Sequence, residues 1–150
     1  MNRLGTFALV ALLLSSVAAE AQIGCTPEQC KNHYGEASDL ESYADGSTKK
    51  CTFNNPSWGS TGGHYIVYVS FSDGKCDCIS YIGQNGITSK QAKILLQLNA
   101  NGYIWTQTNS TSKAMDYSAH LDGKVSMQAF YAPGKSQLMI GTSEWWQRNQ

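Results

Sequence analysis

The stretch from His64 to Ile82 reads HYIVYVSFSDGKCDCISYI. Two runs rich in β-branched and aromatic residues flank the pair Asp73-Gly74. Such a pair joins hairpin strands, because a two-residue turn of this kind needs positive φ at both central positions. The stretch therefore predicts an antiparallel hairpin with strands over 64–72 and 75–82, in which Phe71 lies opposite Cys76.

The side chains of this hairpin are predicted to alternate between two faces of a sheet. With Val69 opposite Cys78, the drier face carries Tyr65, Val67, Val69, Phe71, Cys76, Cys78 and Ile82. The wetter face carries Tyr68, Ile79 and Tyr81. Exposed aromatic residues are frequent hot spots of protein interfaces. We therefore predict that these three residues form a binding surface, unless a helix covers that face.

Three tryptophans extend the set of candidate binding residues. Trp58 lies in a loop rich in glycine and serine, and the pair Trp145-Trp146 lies close to the end of the chain. An aromatic ring with a polar group can anchor a partner or dock onto its own domain. For Trp145-Trp146 the sequence favours docking back onto the domain.

Two short helices are indicated by capping boxes, Thr26-Pro27-Glu28-Gln29 and Thr88-Ser89-Lys90-Gln91. In a capping box the threonine and the glutamine satisfy each other's backbone amides at the start of a helix. The first helix is predicted to end at Tyr34-Gly35 and the second at Gly102. The second helix has an apolar stripe made of Ala92, Leu95, Leu96 and Leu98.

The rest of the chain predicts further strands and turns. Strands are expected at 49–53, 103–108 and 135–140, with a second hairpin at Asp122-Gly123 and a third reversal at Pro133-Gly134. The polar segment around Asp39, Glu41 and Asp45 is expected to be a loop. These elements predict an α+β domain with an antiparallel β-sheet and two short helices.

The two parts of the chain, 25–82 and 88–141, repeat one pattern: a capping box, a helix, a glycine stop and strands with an Asp-Gly-Lys hairpin. The pattern indicates a tandem helix–β-meander duplication. Capping boxes and Asp-Gly turns are common motifs, so their chance recurrence is the alternative. The segments 26–35 and 69–75 resemble the β-lactamase-inhibitor-protein-like fold and its outer-membrane-assembly lipoprotein relatives. That resemblance implies protein binding on a sheet face and no catalysis.

The start of the chain has the features of a secretory signal peptide. Arg3 is followed by an apolar run over 4–17 and by the small residues Ala19 and Ala21. We expect cleavage after Ala21, or after Ala19, which leaves 22–150 as a single secreted or periplasmic domain. The apolar run is too short for a membrane span. The formal net charge is zero and only 15% of the residues are charged, which argues against a nucleic-acid partner.

The chain has five cysteines, at positions 25, 30, 51, 76 and 78. Cys25 and Cys30 are at the N′ and N4 positions of the first helix, where side chains normally meet, so a disulfide between them is predicted. Cys51 is predicted to bond to Cys76 or Cys78. The fifth cysteine is then a buried thiol, a reactive thiol or an intermolecular bridge.

The sequence predicts no catalytic residue, no metal site and no cofactor, because motifs of serine hydrolases, nucleotide-binding loops and zinc proteases do not occur. The hypothesis is an exported, non-enzymatic module that binds another protein, of unspecified oligomeric state. One alternative is a small secreted enzyme with a Cys/His pair. Another is an inhibitor of an extracellular hydrolase, because the segment 25–30 is similar to the C-x-P-x-x-C loop of the vertebrate-lysozyme inhibitor family, which has His where this chain has Glu28.

Overall fold

The computed structural model of the protein describes residues 22–54, 63–100, 102–111, 113–121 and 124–150. The signal-peptide segment 1–21, Trp58 and the turn Asp122-Gly123 lie outside these residues. The described chain forms one eight-stranded antiparallel sheet with three short helices, which confirms the predicted α+β class. None of the helices in the described part has the length and apolar character that crossing a membrane requires.

The elements follow one another in a regular order. They are α1 (Pro27–Tyr34), β1 (Asp39–Ser42), β2 (Thr48–Asn54), β3 (Tyr65–Ser72), β4 (Lys75–Gly83), α2 (Ser89–Leu98), β5 (Ile104–Ser110), β6 (Met115–Leu121), β7 (Lys124–Ala132), a 3₁₀ turn (Pro133–Lys135), β8 (Gln137–Thr142) and α3 (Ser143–Arg148). A helix followed by a four-stranded meander therefore occurs twice.

The strand order in the sheet is β1-β2-β3-β4-β8-β7-β6-β5. Each meander pairs strands that are neighbours in sequence, and the two meanders meet where β4 pairs antiparallel with β8. At this junction Cys78 is opposite Gly141, Ile79 opposite Ile140 and Tyr81 opposite Leu138. The sheet therefore has β1 at one edge and β5 at the other.

Both predicted capping boxes are present and explain where α1 and α2 begin. The backbone N–H of Thr26 donates to Oε1 of Gln29 at 2.8 Å, and the N–H of Gln29 donates to Oγ1 of Thr26 at 3.3 Å. Thr88 and Gln91 make the same pair of bonds at 2.9 and 3.2 Å. Helix α1 ends at Gly35, as predicted, whereas α2 ends at Asn99 and not at Gly102.

The main core lies between the sheet and the helices α1 and α2. Both helices contact Tyr81 of β4: the hydroxyls of Tyr34 and Tyr81 are hydrogen-bonded at 3.1 Å, and Nδ2 of Asn99 donates to the Tyr81 hydroxyl at 2.9 Å. The largest fully buried side chains are Tyr65, Tyr81, Tyr131, Phe53, Phe71, Ile79, Leu95, Leu138, Ile140, Val67, Val69 and Asn99. We call the face of the sheet that α1 and α2 cover the helix face.

The predicted hairpin is confirmed, but its register changes after the first pair. Asp73 and Gly74 have φ of 51° and 69°, and Phe71 pairs with Cys76. Cys78 then pairs with Ser70, so the predicted Val69–Cys78 pair is wrong. Asp77 is the extra residue of a β-bulge, which places two residues of one strand opposite one of the other. Every later side chain of β4 is therefore on the opposite face from the one predicted.

Two further elements differ from the sequence-based expectations. Asp39 and Glu41 lie on strand β1, since the segment pairs with β2 and is not a loop. The end of the chain forms α3, which was not predicted. Its start is capped by Oγ1 of Thr142, which accepts a hydrogen bond from the N–H of Trp145 at 3.0 Å. This helix lies on the sheet face that α1 and α2 leave uncovered.

Candidate functional site

The sheet face opposite the helix face is the candidate site, and we call it the open face. Its side chains come from all eight strands, because residues alternate between faces along each strand. They include Asp39, Glu41, Lys50, Thr52, Tyr68, Ser70, Cys78, Ser80, Met139, Gln128, Phe130, Asp116, Ser118, His120 and Thr108. Helix α3 crosses the middle of this face and separates two grooves.

Helix α3 is fixed to the open face by two polar contacts from its second half. Nε1 of Trp146 donates a hydrogen bond to the backbone carbonyl of Gln128 at 3.2 Å. A guanidinium N–H of Arg148 donates to Oδ2 of Asp77 at 2.6 Å, and Ser70 Oγ donates to the other carboxylate oxygen at 2.8 Å. Asp77 is the bulge residue of β4. The bulge thus supplies the carboxylate that holds the last turn of α3.

Gly141 allows α3 to lie this close to the sheet. A Cβ atom at this position would lie 3.1 Å from Cε3 of Trp145 and 3.3 Å from Nε1 of Trp146, tighter than ordinary van der Waals contact. The two indole rings pack against each other edge to face, with centroids 5.1 Å apart. Each ring lines one of the two grooves. The absence of a side chain at 141 therefore sets where both tryptophans sit.

The first groove lies between α3 and the β1 edge. It is a cavity of about 380 Å³ with Tyr68, Met139 and Trp145 among its lining residues. Tyr68 is 44% exposed, whereas Trp145 and Met139 are half-buried. Thr52, Ser70, Ser80 and Cys78 also line it. The groove thus combines aromatic and thioether surface with hydroxyl groups that can donate or accept hydrogen bonds.

Charged residues form the outer rim of the first groove. Nζ of Lys49 lies 2.6 Å from Oε1 of Glu41, and Nζ of Lys50 lies 3.7 Å from Oε2. The hydrogen bond from Lys49 lowers the pKa of Glu41. All three side chains are well exposed, so these pairs contribute little to stability. They leave a charged, solvated border around an apolar centre, which is the usual anatomy of a protein interface.

The second groove lies between α3 and the β5 edge and has a volume of about 440 Å³. Phe130 and Trp146 give its apolar lining. Oγ of Ser118 and Nε2 of His120 are 2.8 Å apart, with Ser118 buried and His120 exposed. Asp116 accepts a hydrogen bond from Nδ2 of Asn109 at 3.1 Å. In the described part of the chain no carboxylate is hydrogen-bonded to His120, so the Ser–His pair lacks the orienting acid of a catalytic triad.

The structure separates the predicted binding residues into two groups. Tyr68, Trp145 and Trp146 are on the open face, and the docking of the two tryptophans onto the domain is confirmed. Ile79 and Tyr81 are on the helix face, 0% and 1% exposed. The prediction that they share a surface with Tyr68 is wrong, because the Asp77 bulge reverses the alternation of β4. Tyr68 is therefore the one hairpin residue of the three that remains available for binding.

Other residues of the first groove were not found from the sequence. Met139 is on β8, which is distant in sequence from β3 and comes next to β4 only through the pairing of the two meanders. Ser80 of β4 lies opposite Tyr68 of β3 on one side and opposite Met139 of β8 on the other. The alternation of β8 gives a signal that Met139 points away from Leu138 and Ile140. Nothing local, however, indicates which strand lies beside β8.

The five cysteines are thiols in the structure. Cys76 and Cys78 lie on opposite faces, which corrects the prediction of a shared face. Burial raises the pKa of the thiols of Cys51, Cys76 and Cys78. Since the thiolate is the reactive form of cysteine, a raised pKa disfavours reaction at these three thiols. Among the described residues, no group of three His, Cys, Asp or Glu side chains is placed to hold a metal ion.

Comparisons of the chain with protein-family models, with curated proteins and with solved structures found no match. The open face and its two grooves are therefore the basis on which a function can be assigned.

Proposed function

We propose that this chain is a non-enzymatic module that binds another protein through the open face of its sheet. The observation that carries the proposal is Tyr68, 44% exposed beside half-buried Trp145 and Met139 in the first groove. An aromatic side chain this accessible, next to two large polarisable ones, is typical of an interface hot spot. Export of the chain remains part of the proposal, since residues 1–21 lie outside the described structure.

Two properties of the open face favour a protein as the ligand. The apolar centre of the first groove is bordered by the charged residues Asp39, Glu41 and Lys50. Interface cores rich in aromatic residues and methionine with polar rims have this composition. The frame beneath the groove is also rigid, because seven antiparallel strand pairings hold the sheet. A preformed surface loses little conformational entropy on binding.

The resemblance to β-lactamase-inhibitor-protein-like domains implies the same class of function, and it stays a prediction. The alternative of a thiol enzyme finds less support, since burial raises the pKa of Cys51, Cys76 and Cys78. An enzyme with a Cys/His pair needs a thiolate that forms readily near neutral pH. We therefore place the second candidate, a small secreted hydrolase, behind the binding module.

The test compares two tyrosines of nearly equal exposure. Tyr68 is 44% exposed in the first groove, and Tyr43 is 43% exposed in a different depression near Asp45 and Asp73. Immobilised wild type, Tyr68→Ala and Tyr43→Ala would be incubated with the extracellular or envelope fraction of the source cells, and captured proteins identified by mass spectrometry. We expect one protein to be captured by wild type and Tyr43→Ala and to be lost with Tyr68→Ala.

Binding measurements with the purified partner then give the size of the loss in affinity. Tyr68→Ala should weaken binding by about 2 kcal/mol or more if Tyr68 is a hot spot, which corresponds to a Kd roughly 30-fold higher. Thermal denaturation of both variants serves as the stability control. Equal capture by all three proteins would contradict the proposal. Turnover of a small-molecule substrate that disappears in His120→Ala would instead favour the enzyme.

A further inference from the structure

Strand β5 forms an edge of the sheet that is open to further pairing. Among the described strands it pairs with β6 alone. All of its side chains except the half-buried Trp105 are exposed, and none of them is charged. An edge strand directs a row of backbone N–H and C=O groups away from its neighbour, and charged side chains commonly protect such a row. The backbone of β5 is therefore available to another strand.

A β-bulge limits the length of this edge. The register of β5 against β6 shifts between Gln107 and Asn109, so Thr108 is the extra residue. A bulge bends its strand and interrupts regular pairing. The regular part of the edge is therefore 104–107, which suits a short extended segment better than a long strand.

A groove lies beside this edge on the helix face of the sheet. It has a volume of about 460 Å³ and lies between α2 and the strands β5 and β6. Leu96 of α2, Trp105 of β5 and Tyr117 of β6 give it apolar surface. The side chains of a strand added to β5 would alternate between the two faces, so every second one would be on the side of the groove. Backbone pairing at an edge, with a pocket for alternate side chains, is the arrangement of β-strand addition.

The charge at the groove indicates the chemistry of the added segment. Lys93 of α2 is exposed and is the only charged residue among the described residues that line the groove. No carboxylate of the described chain forms an ion pair with it. An acidic side chain on the added segment would be complementary to this lysine. Strand β5 of a second copy has no acidic residue to offer, so the charge favours a segment of a different protein.

We propose that the β5 edge and its groove bind an extended peptide segment of another protein. The segment adds a strand next to β5 through backbone hydrogen bonds. It places an apolar side chain in the groove, on Leu96 and Trp105, and an acidic side chain near Lys93. This surface is separate from the open face, so the inference does not depend on the function proposed above.

The test begins with a phage-displayed library of short random peptides, selected on the immobilised full chain. We expect the selected peptides to share an acidic residue and apolar residues at every second position. The shared sequence would then be synthesised with a fluorescein label, and its Kd measured by fluorescence polarisation. Lys93→Glu should raise this Kd about fivefold or more. Lys90→Glu makes the same charge change on α2 outside the groove lining and should leave the Kd nearly unchanged.

Backbone methylation of the synthetic peptide tests the strand pairing itself. A methyl group on a peptide nitrogen removes one N–H donor, and in an added strand only alternate N–H groups face β5. Methylation at successive positions should therefore alternate between a loss of affinity of about tenfold or more and little change. The protein is unaltered in this series, so the result does not depend on a variant that folds.

Four results would overturn the proposal. They are a selection that enriches no shared sequence, an equal effect of Lys93→Glu and Lys90→Glu, a methylation series without alternation, and loss of binding in Tyr68→Ala, which would place the peptide on the open face. Sedimentation of the protein alone adds a fifth check. A dimer that Ile104→Lys converts to monomer would show that a second copy occupies the β5 edge, and it too would overturn the proposal.

Discussion

The two helix–meander halves of the molecule share one order of elements and differ in how the helix is attached. Helix α2 buries Ala92, Leu95 and Leu96 against the sheet, whereas α1 buries only Cys30 and Tyr34. All five cysteines belong to the first half, and the second half has none. The helix is thus attached to the sheet by apolar burial in one half and by a tyrosine and a buried thiol in the other.

The two edges of the sheet, one in each half, also differ. Strand β1 has four exposed residues and two of them, Asp39 and Glu41, are acidic. Strand β5 has seven residues and no charge, and its Ile104 is 78% exposed. Charges and shortness protect an edge strand from pairing with other chains. The half with the weakly buried helix therefore has the better protected edge.

The largest expected effect is in the second half, at Leu95. This side chain of α2 is 0% exposed, and Leu95→Ala should lower the free energy of unfolding by about 3 kcal/mol through lost burial and a cavity. Urea denaturation of the reduced protein would measure it, with Lys93→Ala on the exposed side of α2 as control. Cys30→Ala in α1 should cost less than Leu95→Ala. An equal or greater loss at Cys30 would remove the contrast between the two halves.

An intermediate effect is expected at alkaline pH, from the tyrosine pair through which both helices contact β4. Burial raises the pKa of Tyr34 well above its ordinary value of 10, and burial also raises the pKa of Tyr81. A group whose pKa is raised on folding contributes stability that is complete below its unfolded pKa and declines above it. The two tyrosines should therefore leave the free energy of unfolding constant near pH 8 and together lower it by about 1 to 2 kcal/mol by pH 10.5. This decline adds to the one that the buried thiols of Cys51, Cys76 and Cys78 cause above their ordinary pKa of 9.

The variant Tyr34→Phe sharpens this measurement, because it removes one titrating hydroxyl and leaves Tyr81 its bond from Asn99. Its stability should depend less steeply on pH above 10 than that of wild type. Denaturation curves of both proteins at matched ionic strength give the comparison. Identical slopes would mean that another group, such as the buried thiol of Cys76, causes the decline.

The smallest expected effect is at the two helix starts, which are the closest match between the halves. Thr26→Ala and Thr88→Ala each remove the side chain that accepts the N3 amide, and each should cost about 1 kcal/mol. Urea denaturation would measure both. Thr26→Ser and Thr88→Ser retain a capping oxygen and should stay close to wild type. A loss at Thr26 several times that at Thr88 would show that α1 depends on its cap far more than α2 does.

The features that the sequence predicted are those with a local cause. Thr26 and Thr88 satisfy amides three residues away, and Asp73-Gly74 turns the chain within two residues. Such interactions are specified by neighbouring residues alone. The class of fold and the start of each of the first two helices followed from them.

The features that were missed depend on contacts between distant segments. The segment Cys76-Asp77-Cys78 has the alternation of a regular strand, and nothing in it shows that Asp77 is an extra residue. In the structure Asp77 is bound by Ser70 and by Arg148 from the end of the chain. Those contacts accompany the bulge, which places Ile79 and Tyr81 on the helix face and not on the face of Tyr68.

The pairing of β4 with β8 has a consequence for how the chain folds into one sheet. Every other strand pair in the sheet joins strands adjacent in sequence, while this one joins residue 78 to residue 141. The entropy cost of closing a loop rises with the length of chain enclosed, so the pairing of β4 with β8 is the most costly loop closure in the sheet. A substitution in the β4–β8 pairing should therefore affect whether the two meanders join into one sheet. A substitution elsewhere in the sheet should affect the formation of one meander alone.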